Sequence, residues 1–412
     1  MTRRSLGWAA GWLVGLGWLA EVGDAGAFTF RVSDERELER ALLRVRPGGT
    51  VQLDAGTYRT TLRFTRSGTA ESPIVVEAAG GAEVVIDAAG RSAALDANGQ
   101  THVTVRGLTF RDADNGPQAE QAMVRPGSGW TLEDCVFEGA AGAGLGVARV
   151  SDVLIDRCVV RDNGQIGMGV SNSERVVVRD TELSGNNPGF AEEAALKRVS
   201  AKERVQHEGR WFVNPAWEAG GVKISSCTHV VFERVRAHGN HGPGLWADYG
   251  NRHVSFIDCH AHGNLNVKGG WEGIGVFVEY HAEGPIDVTG CRVEANEGAG
   301  IAVAESRRVV VRGNTVTDDE LQFRDLDRAD ASLDGVVVTG NTMTRSAVTT
   351  SLGRWDEKSG EAKGIVIEHN VWRGPVRYEW AGEVIEGLDA VRARLGFEAD
   401  SVVEGGSDAA GR

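Results

Sequence analysis

Apolar residues along this chain come in short bursts that alternate with polar ones, and the bursts recur. Val153-Leu-Ile-Asp-Arg-Cys158, Val176-Val-Val-Arg-Asp-Thr181, Val254-Ser-Phe-Ile-Asp-Cys259 and Val309-Val-Val-Arg-Gly-Asn314 share one pattern. Period-two alternation with β-branched residues predicts short strands, each with one buried face. The closing position falls at Cys135, Cys158, Thr181, Val235, Cys259, Cys291, Asn314, Asn341 and Asn370, and several of the steps are 23 or 24 residues. Longer steps read as loop insertions on a common coil. A repeat of this length, with glycine and asparagine turns, predicts a solenoid whose strands stack in parallel at roughly 4.8 Å. Five residues beyond the first column stand Asn163, Asn186, Asn240, Asn264 and Asn296. Asparagine tolerates a left-handed backbone and can bond its own copies above and below, so these predict a turn ladder.

The ends read differently. Ser33-Asp34 can cap an amphipathic helix with Leu38, Ala41, Leu42 and Val45 on one face, closed by Pro47-Gly48-Gly49. Gly387 to Leu395 predicts a short helix closing the other end, and 404–412 a flexible tail. The insertion near 187–217 is expected to carry a helix from Ala191 to Gln206, and a second insertion spans about 264–272. Residues 1–27 have the form of a signal peptide: Arg3 and Arg4, the apolar stretch Leu6 to Ala20, and Ala25-Gly26-Ala27 as a cut site after Ala27. The expectation is a secreted or periplasmic single domain over 28–403, free of the membrane after cleavage and monomeric.

Composition narrows the partners. The formal net charge of −14 argues against nucleic acid, which demands basic patches. It also disfavours a polyanionic substrate unless cations intervene. The five cysteines are an odd number, and Cys135, Cys158, Cys259 and Cys291 fall in the inward column. They are expected as buried free thiols, and a metal site there is not expected.

Chemistry is expected where strands face outward. The glycine-led strands Gly144-Leu-Gly-Val-Ala148, Gly167-Met-Gly-Val-Ser171, Gly221-Val-Lys-Ile-Ser225, Gly244-Leu-Trp-Ala-Asp248, Gly275-Val-Phe-Val-Glu279 and Gly300-Ile-Ala-Val-Ala304 align. One outward column then reads Gly146, Gly169, Lys223, Trp246, Phe277, Ala302; the other reads Ala148, Ser171, Ser225, Asp248, Glu279, Ala304. Two carboxylates on adjacent rungs repel, so one should hold its proton: an acid beside an ionised nucleophile or base. Lys223 and Glu218 stand one rung earlier. Trp211, Trp217, Trp246 and Trp271 cluster in the same region, where exposed rings would stack on sugars. His281 follows Glu279 closely and joins the candidates. His238 and His262 are expected to stack in a turn, and Asp318-Asp319-Glu320 to form a solvated turn.

The coil pattern resembles the pectin-lyase-like right-handed parallel β-helix superfamily, including the opening Thr50-Val-Gln-Leu-Asp-Ala-Gly-Thr-Tyr58 and Pro73-Ile-Val-Val-Glu-Ala-Ala79. Over about 217–290, Trp246-Ala-Asp248, then Phe277-Val-Glu279 and Gly284-Pro285, resemble parallel β-helix glycoside hydrolases of the β-xylosidase type. The resemblance implies an all-β, right-handed parallel β-helix and a retaining hydrolase. Asp248 would be the nucleophile and Glu279 the acid/base, with Lys223, Trp246, Glu218, Trp217, Trp271, Phe277 and His281 around the sugar. The coil between the two acids is longer here than in that family, which bears most on Glu279. Two other readings stay open. A polysaccharide lyase would use Lys223 as base, with Ca²⁺ as a possible cofactor; a non-catalytic solenoid would use the face to bind glycans. The expected partner is a polysaccharide or oligosaccharide, and the hydrolase needs no cofactor.

Overall fold

The computed structural model describes residues 28–188, 204–207, 210–213, 218–267, 271–280, 284–324, 333–351 and 364–404. Within these residues the strands form three sheets of 13 strands each, and consecutive strands of the chain pass from sheet to sheet. Pairing within these three sheets is parallel, apart from an antiparallel hairpin, Arg377–Trp380 with Glu383–Glu386, at the far end. The expected register holds: Val153, Val176, Val230, Val254, Ile286 and Val309 stack as direct partners down the first sheet. The inward residues of all three sheets merge into one apolar core running the length of the coil.

Helix α1 (Glu35–Arg44) covers the first coil. Asp34 accepts from the Glu37 N–H at 2.8 Å, and Glu37 accepts in return from the Ser33 N–H at 2.9 Å. Leu38, Ala41 and Leu42 are buried on the coil. At the other end α2 (Leu388–Leu395) stops at Gly396, whose φ of 68° is left-handed. Both capping helices match the sequence reading.

The asparagine ladder is present and longer than expected. Asn163 Nδ2 donates to Asn186 Oδ1 (2.9 Å), Asn186 to Asn240 (2.9 Å), Asn240 to Asn264 (3.1 Å), Asn264 to Asn296 (2.8 Å), and Asn296 to Asp319 Oδ2 (2.8 Å). The expectation that Asp319 lies on a solvated face is therefore wrong: it is buried as the ladder's last acceptor. The ladder also explains the glycine that opens each outward strand. A Cβ on Gly144 would lie 2.6 Å from Asn163 Nδ2, and one on Gly244 2.7 Å from Asn264 Nδ2.

A second ladder runs down the first column. Asn314 donates to Asn341 (2.9 Å), Asn341 to Asn370 (3.1 Å), and Asn370 to Glu398 Oε2 (3.1 Å). Cys135, Cys158, Cys259 and Cys291 lie in that column, and Cys227 elsewhere in the core; all five are buried free thiols.

The insertion departs from expectation. Arg204–His207 pairs antiparallel with Arg210–Val213, so the C-terminal part of the proposed Ala191–Gln206 helix is a β-hairpin strand. Hairpin formation suits the alternating Arg210-Trp-Phe-Val213 run. The rest of that helix, the leader 1–27 and the tail beyond 404 lie outside the described residues.

Burial pushes the Asp319 carboxyl up to about 6, with the Asn296 bonds opposing. Because the folded value is raised, the folded state gains stability from the proton at low pH and loses it as pH rises through about 6. Stability should therefore fall by on the order of 2 kcal/mol between pH 4 and 7 from this group. Asp319→Asn should flatten that slope, read as urea midpoints against pH.

Candidate functional site

The outward columns are confirmed rung by rung. Gly146, Gly169, Lys223, Trp246, Phe277 and Ala302 are successive partners in the second sheet. Ala148, Ser171 and Ser225 pair beside them, and Glu279 pairs with Ala304. Asp248 directly follows the Leu245–Ala247 strand, so the register carries it beside Glu279.

The centre of this face is an ionic group. Lys223 Nζ lies 3.1 Å from Asp248 Oδ2 and 3.8 Å from Glu218 Oε1, and 4.3 Å from the centre of the Trp246 ring. All three charged side chains are largely covered yet not sealed, at 13% exposure for Lys223, 19% for Asp248 and 15% for Glu218. Burial pushes the Glu218 carboxyl up to about 7; the Asp248 charge adds to the rise, while Lys223 and a hydrogen bond from Gln118 oppose it. One carboxyl thus keeps its proton near neutrality while its neighbour is ion-paired. The sequence expected a proton-holding carboxyl in the Asp248–Glu279 pair; the carboxyl pushed up to about 7 is that of Glu218, one rung earlier.

Glu279, Trp246 and Phe277 do point away from the solenoid core, but they are not open to solvent. Trp246 and Phe277 are at most 1% exposed, in a second small apolar cluster with Ile274, Ala299, Ala302 and the partly buried Trp271. Trp271 packs edge-on against Trp246 at 5.1 Å, and Trp246 stacks on Phe277 at 5.8 Å. Trp271 and Ile274 cover these rungs, and Arg324 fastens that stretch by pairing with Glu272 at 2.5 Å. An indole flat on its neighbours offers no face to a sugar, so the expectation of exposed Trp246 and Phe277 platforms is corrected. Glu279 is 1% exposed and accepts the Trp246 Nε1–H at 3.1 Å. It anchors the ring on which the Lys223 ammonium rests.

Trp217 and His281 lie outside the described residues, and no side chain of the hairpin holding Trp211 is described. His238 and His262 stack at 4.9 Å on another sheet, as the turn pattern predicted, and away from this face. Sequence reasoning missed Gln118, which arrives from a loop three coils earlier with no repeat signal to mark it. It also missed Tyr249 and Tyr280, which stack at 5.4 Å directly after the two acids; Tyr249 is exposed. Their rung-to-rung spacing was readable once Asp248 and Glu279 were aligned. Among the described residues no group of three or more His, Cys, Asp or Glu could hold a metal ion.

Neutralising Lys223 should release the two carboxylates it separates. Lys223→Met is expected to raise the Glu218 value above 7, measured by carboxyl carbon NMR titration, and to destabilise the fold more at pH 8 than at pH 5.

Comparisons place this geometry among known folds. A family model described as right handed beta helix region matches residues 93–195 and 122–316, and one described as chondroitinase B matches 32–125. No curated protein matches. Among solved structures, the A-module of the mannuronan C-5 epimerase AlgE4 of Azotobacter vinelandii is similar at 15% identity and a TM-score of 0.59, over 91% of this chain and 96% of that one. XylC in complex with xylose gives 11% and 0.56, over 88% and 82%. A mannuronic acid specific polysaccharide family 6 lyase from human gut microbiota gives 15% and 0.55, over 92% of each. At these identities the likeness concerns the fold. The repeat model, however, spans more than half of the sequence, and the chain belongs to the right-handed β-helix family.

Proposed function

We propose that this protein is a secreted or periplasmic carbohydrate-active enzyme, and that its reaction is hydrolysis of a glycosidic bond. The observation that carries the reading is the Glu218–Lys223–Asp248 group: a carboxyl that holds its proton up to about pH 7 beside one ion-paired to a lysine. Both carboxyls reach the same ammonium, so their nearest oxygens stand no more than about 7 Å apart, in the range where two acids can act on one glycosidic bond. Asp248 attacks the anomeric carbon as the bond to the leaving oxygen breaks. Glu218 gives that oxygen its proton, then takes one from the water that hydrolyses the glycosyl ester. Lys223 holds Asp248 in place and balances charge; Glu279 positions Trp246 beneath it. This moves the acid/base role from Glu279 to Glu218 and keeps the nucleophile.

A second reading is a lyase on uronate polymers with Lys223 as base. It is favoured by the position of Lys223 at the centre of the face, and by similarity to a structure described as a mannuronic acid specific lyase. The net charge of −14 counts against a polyanionic substrate.

Digestion of a polysaccharide panel, reading reducing ends and ultraviolet absorbance together, separates the two. Asp248→Asn should lower kcat by about a thousandfold or more, and Glu218→Gln by a hundredfold or more for poor leaving groups. Glu279→Gln should cost far less. Unsaturated products, or Glu279→Gln as damaging as Asp248→Asn, would overturn the assignment. For the wild type, kcat/KM should fall about tenfold per pH unit above about 7, as Glu218 loses its proton.

A further inference from the structure

The candidate site has one closed end and one open end along the solenoid axis. Beyond Asp248, Glu279 and Ala304 are buried, Ala304 within the apolar cluster against which Trp271 packs. Before it, the same column runs through Ser225, Ser171 and Ala148, all partly exposed and all small, so among the described residues no large side chain rises from the floor. A short 3₁₀ turn, Ala119–Gln121, forms one wall by lying over Gly146 and Gly169. A Cβ on Gly146 would meet the Ala119 carbonyl oxygen at 1.9 Å, and one on Gly169 the Ala119 Cβ at 2.8 Å. That wall is fixed. Asn115 Nδ2 donates to Gln121 O (3.1 Å) and Ala143 O (2.8 Å), and Arg149 pairs with Glu120 at 3.2 Å. The opposite wall is the row of exposed turn residues Arg149, Asn172, Ser226 and Tyr249, and the Arg149–Glu120 pair joins the two walls at the Ala148 rung, where the trough meets the cavity.

The trough leads to a cavity of about 390 Å³ lined by Asp96, Asn98, Arg125, Ser128, Ala148 and Arg149, among others. Three rungs separate Ala148 from Asp248, or ~14 Å at parallel-strand spacing, about three sugar units of an extended chain. Its charges are matched in pairs: Arg125 with Asp96 at 3.0 Å and Arg149 with Glu120 at 3.2 Å. An anionic sugar would have to compete with these carboxylates for the arginines. Neutral hydroxyls, each both donor and acceptor, can bond to both partners of a pair at once.

We infer that this cavity is a distal binding site for a neutral oligosaccharide whose chain end lies at Asp248, so that the substrate is a neutral glycan held over about four units. The inference rests on the carbohydrate-active reading above and narrows it to chain ends and to uncharged sugars.

The test uses full-length Asp248→Asn protein and calorimetric titration with xylo-, manno- and cello-oligosaccharides and oligomannuronates, each from two to six units. The expected result is that affinity for one neutral series climbs with length to about four units and then levels. Arg149→Asn, a change at an exposed side chain whose left-handed backbone asparagine accepts, should weaken the tetramer about tenfold and leave the dimer unchanged. Equal affinity for dimer and hexamer, or equal loss for both lengths in Arg149→Asn, would overturn the distal site while leaving the reaction centre intact. Preference for oligomannuronates would overturn the neutral-substrate assignment. No binding by any series would overturn the carbohydrate reading itself, and this inference with it.

Discussion

In a parallel coil every side chain faces its own copies, one strand spacing above and below, and that constraint governs the rest of this molecule. Only certain residues tolerate such neighbours. Aliphatic side chains do, and fill the core. Asparagine does because its amide carries a donor and an acceptor, so each copy satisfies the next. Such a ladder needs a final group that only accepts, and both ladders end on a carboxylate, Asp319 in one and Glu398 in the other. Glu398 also takes hydrogen bonds from Trp372 (3.0 Å), Tyr378 (2.5 Å) and Ser401 (2.5 Å), so its buried charge is fully met. Charged residues tolerate stacking when their signs alternate. One left-handed turn position reads Asp134, Arg157, Asp180, Arg234, Asp258, with Arg157 bonded to Asp134 at 2.9 Å and Arg234 to Asp180 at 2.7 Å.

The candidate site is where that rule is broken. Asp248 and Glu279 are like charges on neighbouring rungs, and Glu218 adds a third carboxyl at the same place. The molecule offsets the repulsion in two ways: Lys223 sits between Glu218 and Asp248, and Trp246 donates to Glu279. Neither device would be needed for folding alone, because serine or alanine fills the same column at every rung from Ala148 to Ser225. A local conflict held in place by dedicated partners is the pattern expected of a working site.

Much of this was legible in the sequence, because stacking converts periodicity directly into register. The coil spacing located the inward cysteines, the first asparagine ladder and both outward columns with correct partners. Burial outside the solenoid was not legible. Trp246 and Phe277 alternate outward as read, yet the loop carrying Trp271 returns to cover them, and no repeat dictates where an insertion folds back. Gln118 was invisible for the same reason. Asp319 was misread because three consecutive acids suggest solvent, and only the ladder's need for a terminal acceptor explains its burial. The pairing of 204–207 with 210–213 was hidden by a helix-favouring composition upstream, while the aromatic and β-branched residues of Arg210-Trp-Phe-Val213 already favoured a strand.

The exchange of Glu279 for Glu218 as the proton donor follows from what each carboxyl is bonded to. A general acid must keep its proton at working pH and present it to a substrate oxygen. The Trp246 indole N–H occupies one oxygen of Glu279, and at 1% exposure its carboxyl is closed to a substrate. Glu218 has the opposite surroundings. Burial and the neighbouring Asp248 charge favour its protonated form, and at 15% exposure it is not sealed. Lys223 lies nearer to Asp248 than to Glu218, so it holds Asp248 in an ion pair while opposing the rise at Glu218 only in part. Burial is thus what sets Glu218 apart, and the ammonium shared with Asp248 tempers that rise.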